Sequence, residues 1–509
     1  MKLRLPATTL TLFLLAGLAA AADAPDAAPA NGGMIVRVLS NTATASRLFK
    51  NWGELYVARI EDEAAGKSNV FKLGAGVDGA SHTAVFASEL PAGHYRLTRL
   101  SSQACGWLSP CSWIWIEMNP GFSSFEVRAG QLTDLGVLLQ SPGRRLRTVS
   151  LLHQVDPPHD LAPALVQHVA PKLAGLLGQP VLGWDASKVP AGMDDAFAQA
   201  VDASYGVISP SATGDGFIAG SMNGAVREWR ANGTWTTHDT GVRVAVETVL
   251  AADGQWLAGG EFGAILRSTD GGANWSSLRG DLPYGLVGDL ALWHGQVIAT
   301  LLHGTTVAIE ALRPDAAGTD HWVALAEYTL KIDGYWASLT GDRPRSFLAG
   351  DRLVTSLPAD HVAVLDLASG HADVRECPSD INWVTASPDG AIHLRTQGTW
   401  LGMAGYESLD QGATWKKIDD QGLMKPPAIR ADGHGVGFRG GFTVMNGKAQ
   451  DGKFVTTDNA GASWTAGDKT TELFREFRYS PDGKTAFGIT TDGAVWRSDD
   501  DGHRWAVVP

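Results

Sequence analysis

Four stretches of the chain bring an acid, a glycine and a tryptophan together within eight or nine residues: STDGGANW, SLDQGATW, TTDNAGASW and SDDDGHRW. Their repeated positions are Ser268, Asp270, Gly272 and Trp275; Ser408, Asp410, Gly412 and Trp415; Thr456, Asp458, Gly461 and Trp464, in a copy one residue longer; and Ser498, Asp500, Gly502 and Trp505. An Asp beside Gly can serve as a catalytic acid or base, as a calcium ligand, or as the cap of a turn. A catalytic acid is needed once, not four times along one chain. Calcium loops with the acid spacing of SDDDG end on a distal bidentate Glu, which is missing here. Turn chemistry accounts for every position. The carboxylate accepts backbone N–H groups, and the Gly takes the positive φ that closes a hairpin. The Ser or Thr hydroxyl bonds back across the turn, and the Trp opens the next strand and buries its ring. WRANGTW, ending at Trp235, is a degenerate copy, and TDHW keeps only Trp322.

Other reactive groupings are sparser. His153, His159 and His168 have no compact metal-binding spacing. GAGVDGAS is not followed by the Lys-Ser/Thr of a phosphate loop, and no G-x-S-x-G elbow occurs. Glycoside hydrolysis needs two positioned carboxylates, and nothing selects a pair among 54 acids. No cofactor and no metal is expected, and the chain reads as non-catalytic. Cys105 and Cys111 flank Gly and Pro in CGWLSPC and are expected to pair in an oxidising compartment. Such a ring stabilises by roughly 2 kcal/mol on the chain-entropy model. Cys377 is left over and is expected to be buried.

The elements that carry these residues are mostly β. Sixty glycines and eighteen tryptophans in 509 residues indicate many turns around aromatic cores. Residues 1–22 read as an export signal, with Lys2 and Arg4 before the apolar LTLFLLAGL and small residues Ala19 to Ala22 for cleavage. That run is too short for a membrane span, and no Cys follows it for a lipid anchor. Residues 23–33 form a flexible tether. Residues 34–142 carry β-rich runs such as MIVRVL, ELYVARI, HTAVFASEL and SWIWIEM, at the intervals of a β-sandwich.

Across 143–202, HDLAPALVQHVAPKLAGLLG has helical spacing, with Asp160 as a candidate N-cap, Pro163 in the first turn and Pro171 expected to kink or end the helix. MDDAFAQAVDAS predicts a second helix, so the segment is a helical connector. From 203 to 509 the chain repeats: NGAVREW, FGAILRS and DGAVWRS recur after small apolar strands, in units beginning near 203, 243, 286, 333, 380, 426 and 473. Four strands in a unit of about 44 residues is the pattern of a propeller blade. The expected fold is therefore all-β: a seven-bladed β-propeller preceded by a small β-sandwich domain and a short helical connector.

The repeated turns resemble the Asp-box, or bacterial neuraminidase repeat, S/T-x-D-x-G-x-T/S-W. That resemblance implies a propeller whose boxes lie opposite the ligand funnel and take no part in catalysis. Asp-box proteins include sialidases, xyloglucanases, sortilin-type receptors and photosystem II assembly factors, so the fold does not choose between enzyme and binder. Sialidases carry an (F/Y)RIP arginine and two more that grip the substrate carboxylate. No RIP occurs here, and Arg243 and Arg430, near innermost strands, have no recognisable Tyr–Glu nucleophile beside them. Xyloglucanases build their cleft between two propellers, and this chain has one. In the first domain, LPAGHYRL followed by FEVRAGQLTDLGVL resembles the Ig-like or transthyretin-like domains of periplasmic proteins.

The formal net charge of −13 becomes −15 once the two positives of the signal are removed. That disfavours nucleic acid and anionic lipid as partners. No second apolar run is long enough to cross a membrane. The expectation is a periplasmic or secreted monomer that recognises a protein or a cell-envelope glycan through the propeller's loop face. The alternative is a divergent, exo-sialidase-like glycoside hydrolase. Candidate binding residues on that face are Arg279, Asp281 and Tyr284 in RGDLPYG; Asp333, Tyr335 and Trp336 in DGYW; Lys425 in LMKPP; and Phe474 and Arg475 in ELFRE. Arg, Tyr and Trp are favoured at interaction hot spots.

Overall fold

A computed structural model describes residues 30 to 508 apart from 41–51, 68, 77–81, 107–108, 119–123, 143–148, 155–161, 179–203, 212–214, 222, 330–343, 358–359, 388–389, 397–403, 419–421, 424, 443–448 and 491–493. The export signal, Asp160 and nearly all of the second connector helix lie outside the described residues.

Nine strands come first: β1 (Asn31–Ser40), β2 (Glu54–Arg59), β3 (Val70–Gly76), β4 (Thr83–Pro91), β5 (Gly93–Gly106), β6 (Ser109–Glu117), β7 (Ser124–Val127), β8 (Leu132–Pro142) and β9 (Val149–Gln154). They form one sheet in the order β6-β5-β2-β3-β4-β1-β8-β9, with β7 on β5. Two arms, β2 with β5 to β7 and β4 with β1, β8 and β9, meet at β3, which pairs with β2 along Val70–Gly74 and with β4 at Ala75 and Gly76. Met34 and Val36 of β1, Leu55 and Val57 of β2, Phe86 of β4 and Tyr95 of β5 bury into a single core. The apolar run MIVRVL does not alternate because both faces of β1 are covered: Val36 and Val38 face this core, whereas Ile35 joins the next one. Strand β9 pairs with β8 and falls inside residues 143–202, so that segment is part strand rather than wholly helical.

The connector helix spans Ala162–Val169 and gives way to a 3₁₀ turn at Pro171–Leu176, because the proline ring cannot continue the helical hydrogen-bond ladder. Leu165, Val166 and Leu173 are buried between Ile35, Val85 and Leu132 of the sheet and Val242, Val244 and Phe262 of the following domain.

That domain is seven four-stranded antiparallel sheets, each paired in chain order: a seven-bladed β-propeller. We letter the strands of each blade A to D. The A strands begin at Ser204, Val246, Leu286, Ser346, Ile381, Ala428 and Phe474. Six of these starts fall within three residues of the sequence spacing; the fourth follows residues 330–343, outside the described residues. Up-and-down pairing puts the A–B and C–D loops on one face and the B–C and D–A loops on the other. Blade 7 supplies all four of its own strands, ending at Ala506–Val507, so the ring closes without strand exchange. Blades 7 and 1 meet through side chains instead. Phe217 and Phe487 pack edge to face at 5.3 Å, among Ile208, Ala219 and Ile489.

Candidate functional site

The repeated turns all join strand C to strand D, and their geometry is structural. Ser268 Oγ donates to Asp270 (2.8 Å) and accepts the Gly272 N–H (2.8 Å), while Asp270 accepts the Asn274 N–H (2.9 Å). The same three bonds recur at Ser408, Asp410, Gly412 and Thr414, and at Ser498, Asp500, Gly502 and Arg504. The glycines sit at φ of +82° to +86°, where a side chain is strained. The third copy corrects the sequence alignment by one residue. Thr457, not Thr456, donates to Asn459, not Asp458; Gly461 N–H and Ser463 N–H complete the pattern. An Asn replaces the Asp because one amide oxygen is enough to take the turn N–H. The remaining blades solve the same problem without the motif: Asn232, Asp315 and Asp366 accept backbone N–H groups in their C–D turns.

These hydrogen bonds also set the acidity. Backbone and side-chain donation from Asn274 lowers Asp270 to about 2, and donation from Thr414 lowers Asp410 to about 2. Both stay ionised as acceptors, the opposite of what a proton donor requires.

The nine loop-face candidates separate into five groups. Asp333, Tyr335 and Trp336 lie outside the described residues. Phe474 is a core residue of blade 7, packed on Phe438, Phe454 and Phe477; its place at the strand start looked like a loop position. Tyr284 is buried and stacks on His168 of the connector helix at 4.1 Å, so the chain itself occupies it. Asp281 accepts the Trp322 N–H (2.9 Å) and ties its loop to blade 3, while Arg279 is half-buried, and that burial lowers its pKa. Among the six described candidates, only Lys425 and Arg475 line one cavity.

That cavity, of about 1150 Å³, is the propeller's central channel. The A strands of blades 1, 4, 5, 6 and 7 wall it, with Trp383, Pro426 and Pro427 as apolar surface. Its cations are Arg345, Lys425, Arg430, Arg475, Arg478 and Lys484. Arg345 leads into blade 4 and crosses to blade 7, meeting Glu476 at 3.0 Å; its other side faces Asp289 of blade 3 at 3.4 Å. Arg478 also meets Glu476, at 2.5 Å. Burial disfavours charge on Glu476, but Arg345, Arg478 and Arg475 outweigh it and hold the carboxyl below its usual range. Burial likewise opposes charge on Arg345, yet Glu476 and Asp289 keep its pKa raised. At the opposite face Arg430 lies over the Tyr479 ring and bonds Asp432 and Asp501. Arg243 is taken by Asp239. Cys377 is buried, which pushes its thiol up to about 12 and leaves it inert.

Sequence reasoning missed Arg345, Glu476 and Arg478. In blade 7 the pairing register shifts between Phe474 and Glu476, and a bulge breaks the two-residue alternation that reveals which side chains face inward. Strand A carries the same irregularity between Val246 and Thr248, Val287 and Asp289, and Ile381 and Trp383. The irregularity thus recurs near the start of strand A in several blades.

No protein-family model and no curated protein matches the chain. Solved structures similar to it include YCF48 bound to D1 peptide (17% identity, 58% of this chain and 93% of that one, TM-score 0.44). YCF48 from Cyanidioschyzon merolae is also similar (16%, 58% and 96%, TM-score 0.42). So is the Cps50 (Swd1) β-propeller domain of Myceliophteria thermophila (10%, 58% and 97%, TM-score 0.41).

Proposed function

We propose that this is an exported, non-catalytic binding or assembly module that takes an acidic segment of a partner protein into the propeller channel. One observation carries the reading: in a chain of net charge −13, the residues lining a cavity of about 1150 Å³ include six cations, Arg345, Lys425, Arg430, Arg475, Arg478 and Lys484, against five acids, Asp432, Glu476, Asp482, Asp499 and Asp501. Guanidinium groups bind carboxylates through paired, charge-assisted hydrogen bonds, and Trp383, Pro426 and Pro427 add apolar surface for the segment's side chains. Among the channel's five acids, Glu476, Asp432 and Asp482 are lowered by their partners, which disfavours these three as the protonated carboxyl a glycosidase needs. Export rests on residues 1–22, and the Cys105–Cys111 disulfide belongs to the same proposal. Strands β5 and β6 bracket the two cysteines, with Ala104 opposite Ser112 and Gly106 opposite Ser109.

The test is crosslinking of the tagged mature protein in its host, with mass spectrometry of what it captures. A reproducible protein partner, lost in the Lys425→Glu/Arg475→Glu double variant at unchanged melting temperature, is the expected result. Capture that survives the charge reversal removes the channel as the site. Failure to capture protein, with binding to envelope polysaccharide instead, replaces the partner by a glycan.

A further inference from the structure

The loop face above blades 1 and 2 already has an occupant. The B–C turn of blade 2 runs Gly260–Glu261–Phe262–Gly263, and Phe262 adopts φ +60° while completely buried. A bulky residue in the left-handed region is a strained choice that persists only where its surroundings fix it. The turn aims Glu261 at the N-terminal sheet. Its Oε1 accepts the N–H groups of His82 (2.7 Å) and Thr83 (2.9 Å), and its Oε2 accepts the Thr83 hydroxyl (2.5 Å) and the Ala245 N–H (3.1 Å). Glu261 is 0% exposed, and a buried carboxylate is tolerated only when its lone pairs are filled in this way.

Around the clamp, His82 Nε2 lies 3.8 Å from buried Glu247, and Tyr284 is sandwiched between His168 and Phe262. The apolar cluster beneath draws Ile35, Val85 and Leu132 from the sheet and Val242, Val244 and Phe262 from the propeller. Relative domain motion is the default for small polar interfaces; this one has a continuous apolar core and a satisfied charge at its centre.

We infer that the N-terminal sheet is a permanently seated occupant of the propeller's loop face, locked by the Glu261 carboxylate, so that it closes the sector over blades 1 and 2 to an outside partner. The inference is independent of what the channel binds. It makes the sheet a fixed wall of the binding body rather than a separate recognition module.

Hydrogen–deuterium exchange of the mature protein, wild type against Glu261→Gln, tests the lock. In the wild type the His82, Thr83 and Ala245 amides exchange as slowly as strand B of blade 2. In Glu261→Gln, which sets an amide N–H against the donors, they speed up by about 100-fold while blades 4 to 7 stay protected. Fast exchange at these amides in the wild type, or no change in the variant, overturns the inference. Should Glu261→Gln lose protection everywhere, Thr83→Val decides: acceleration confined to these amides supports the lock, and none refutes it. A photoreactive phenylalanine analogue at position 284 reads out occupancy. It crosslinks to the connector helix near His168, and a crosslink to another protein would show the sector open.

Discussion

Ser268 and Ser408 are small side chains with large local duties: each is buried, and each hydroxyl donates to an Asp while accepting a glycine N–H. Ser268→Ala or Ser408→Ala orphans that N–H and should cost about 1–2 kcal/mol, read as a lower denaturant midpoint. The one-residue correction in the third turn makes a sharper forecast. Asn459→Ala should destabilise, whereas Asp458→Ala should leave the melting temperature unchanged. Two adjacent threonines, Thr456 and Thr457, and an Asn in the acid position hid that register from the sequence. Acid titration follows from the same bonds. Asp270 and Asp410 fall from an ordinary 3.8 to about 2 on folding. Depressed values mean stability that is present above pH 4 and lost as pH falls toward 2. Asp270→Asn/Asp410→Asn should therefore flatten the acid limb of the stability profile.

Among the elements, strand C of blade 3 (Thr306–Pro314) holds the opposite case. Glu310 is buried, and burial together with the charges of Glu327 and Asp281 pushes it up to about 7. A raised folded value means extra proton uptake by the native state, so this group's contribution is complete below pH 4.5 and is lost as pH rises through 7. Glu310→Gln should stabilise by about 2–3 kcal/mol at pH 8 and by less than about 1 kcal/mol at pH 5, measured by denaturant unfolding at both. Element-level legibility was uneven for physical reasons. The blades could be counted because each must close a C–D hairpin with the same few residues. Channel-lining positions could not be read, because the bulges in strand A break the period on which facing is inferred. Glu261 and Tyr284 sit on short polar loops, and only the arrival of the sheet and connector helix, distant in sequence, buries them.

At the scale of the molecule, two joints decide integrity: the lock between sheet and propeller, and the seam between blades 1 and 7. Phe217 and Phe487 are 1% and 0% exposed at that seam, where no backbone ladder crosses. Phe217→Ala or Phe487→Ala should cost about 3–5 kcal/mol, more than comparable truncations on the outer strands, and should broaden the calorimetric transition as the ring opens before the blades melt. The order of the chain adds a consequence in time. Ribosomes deliver the sheet, Glu261 and the first three blades by residue 329, whereas Arg345, Lys425, Arg475 and Arg478 follow later. The channel wall is therefore complete only once strand A of blade 7 (Phe474–Tyr479) has been made, long after the sheet and the residues that hold it.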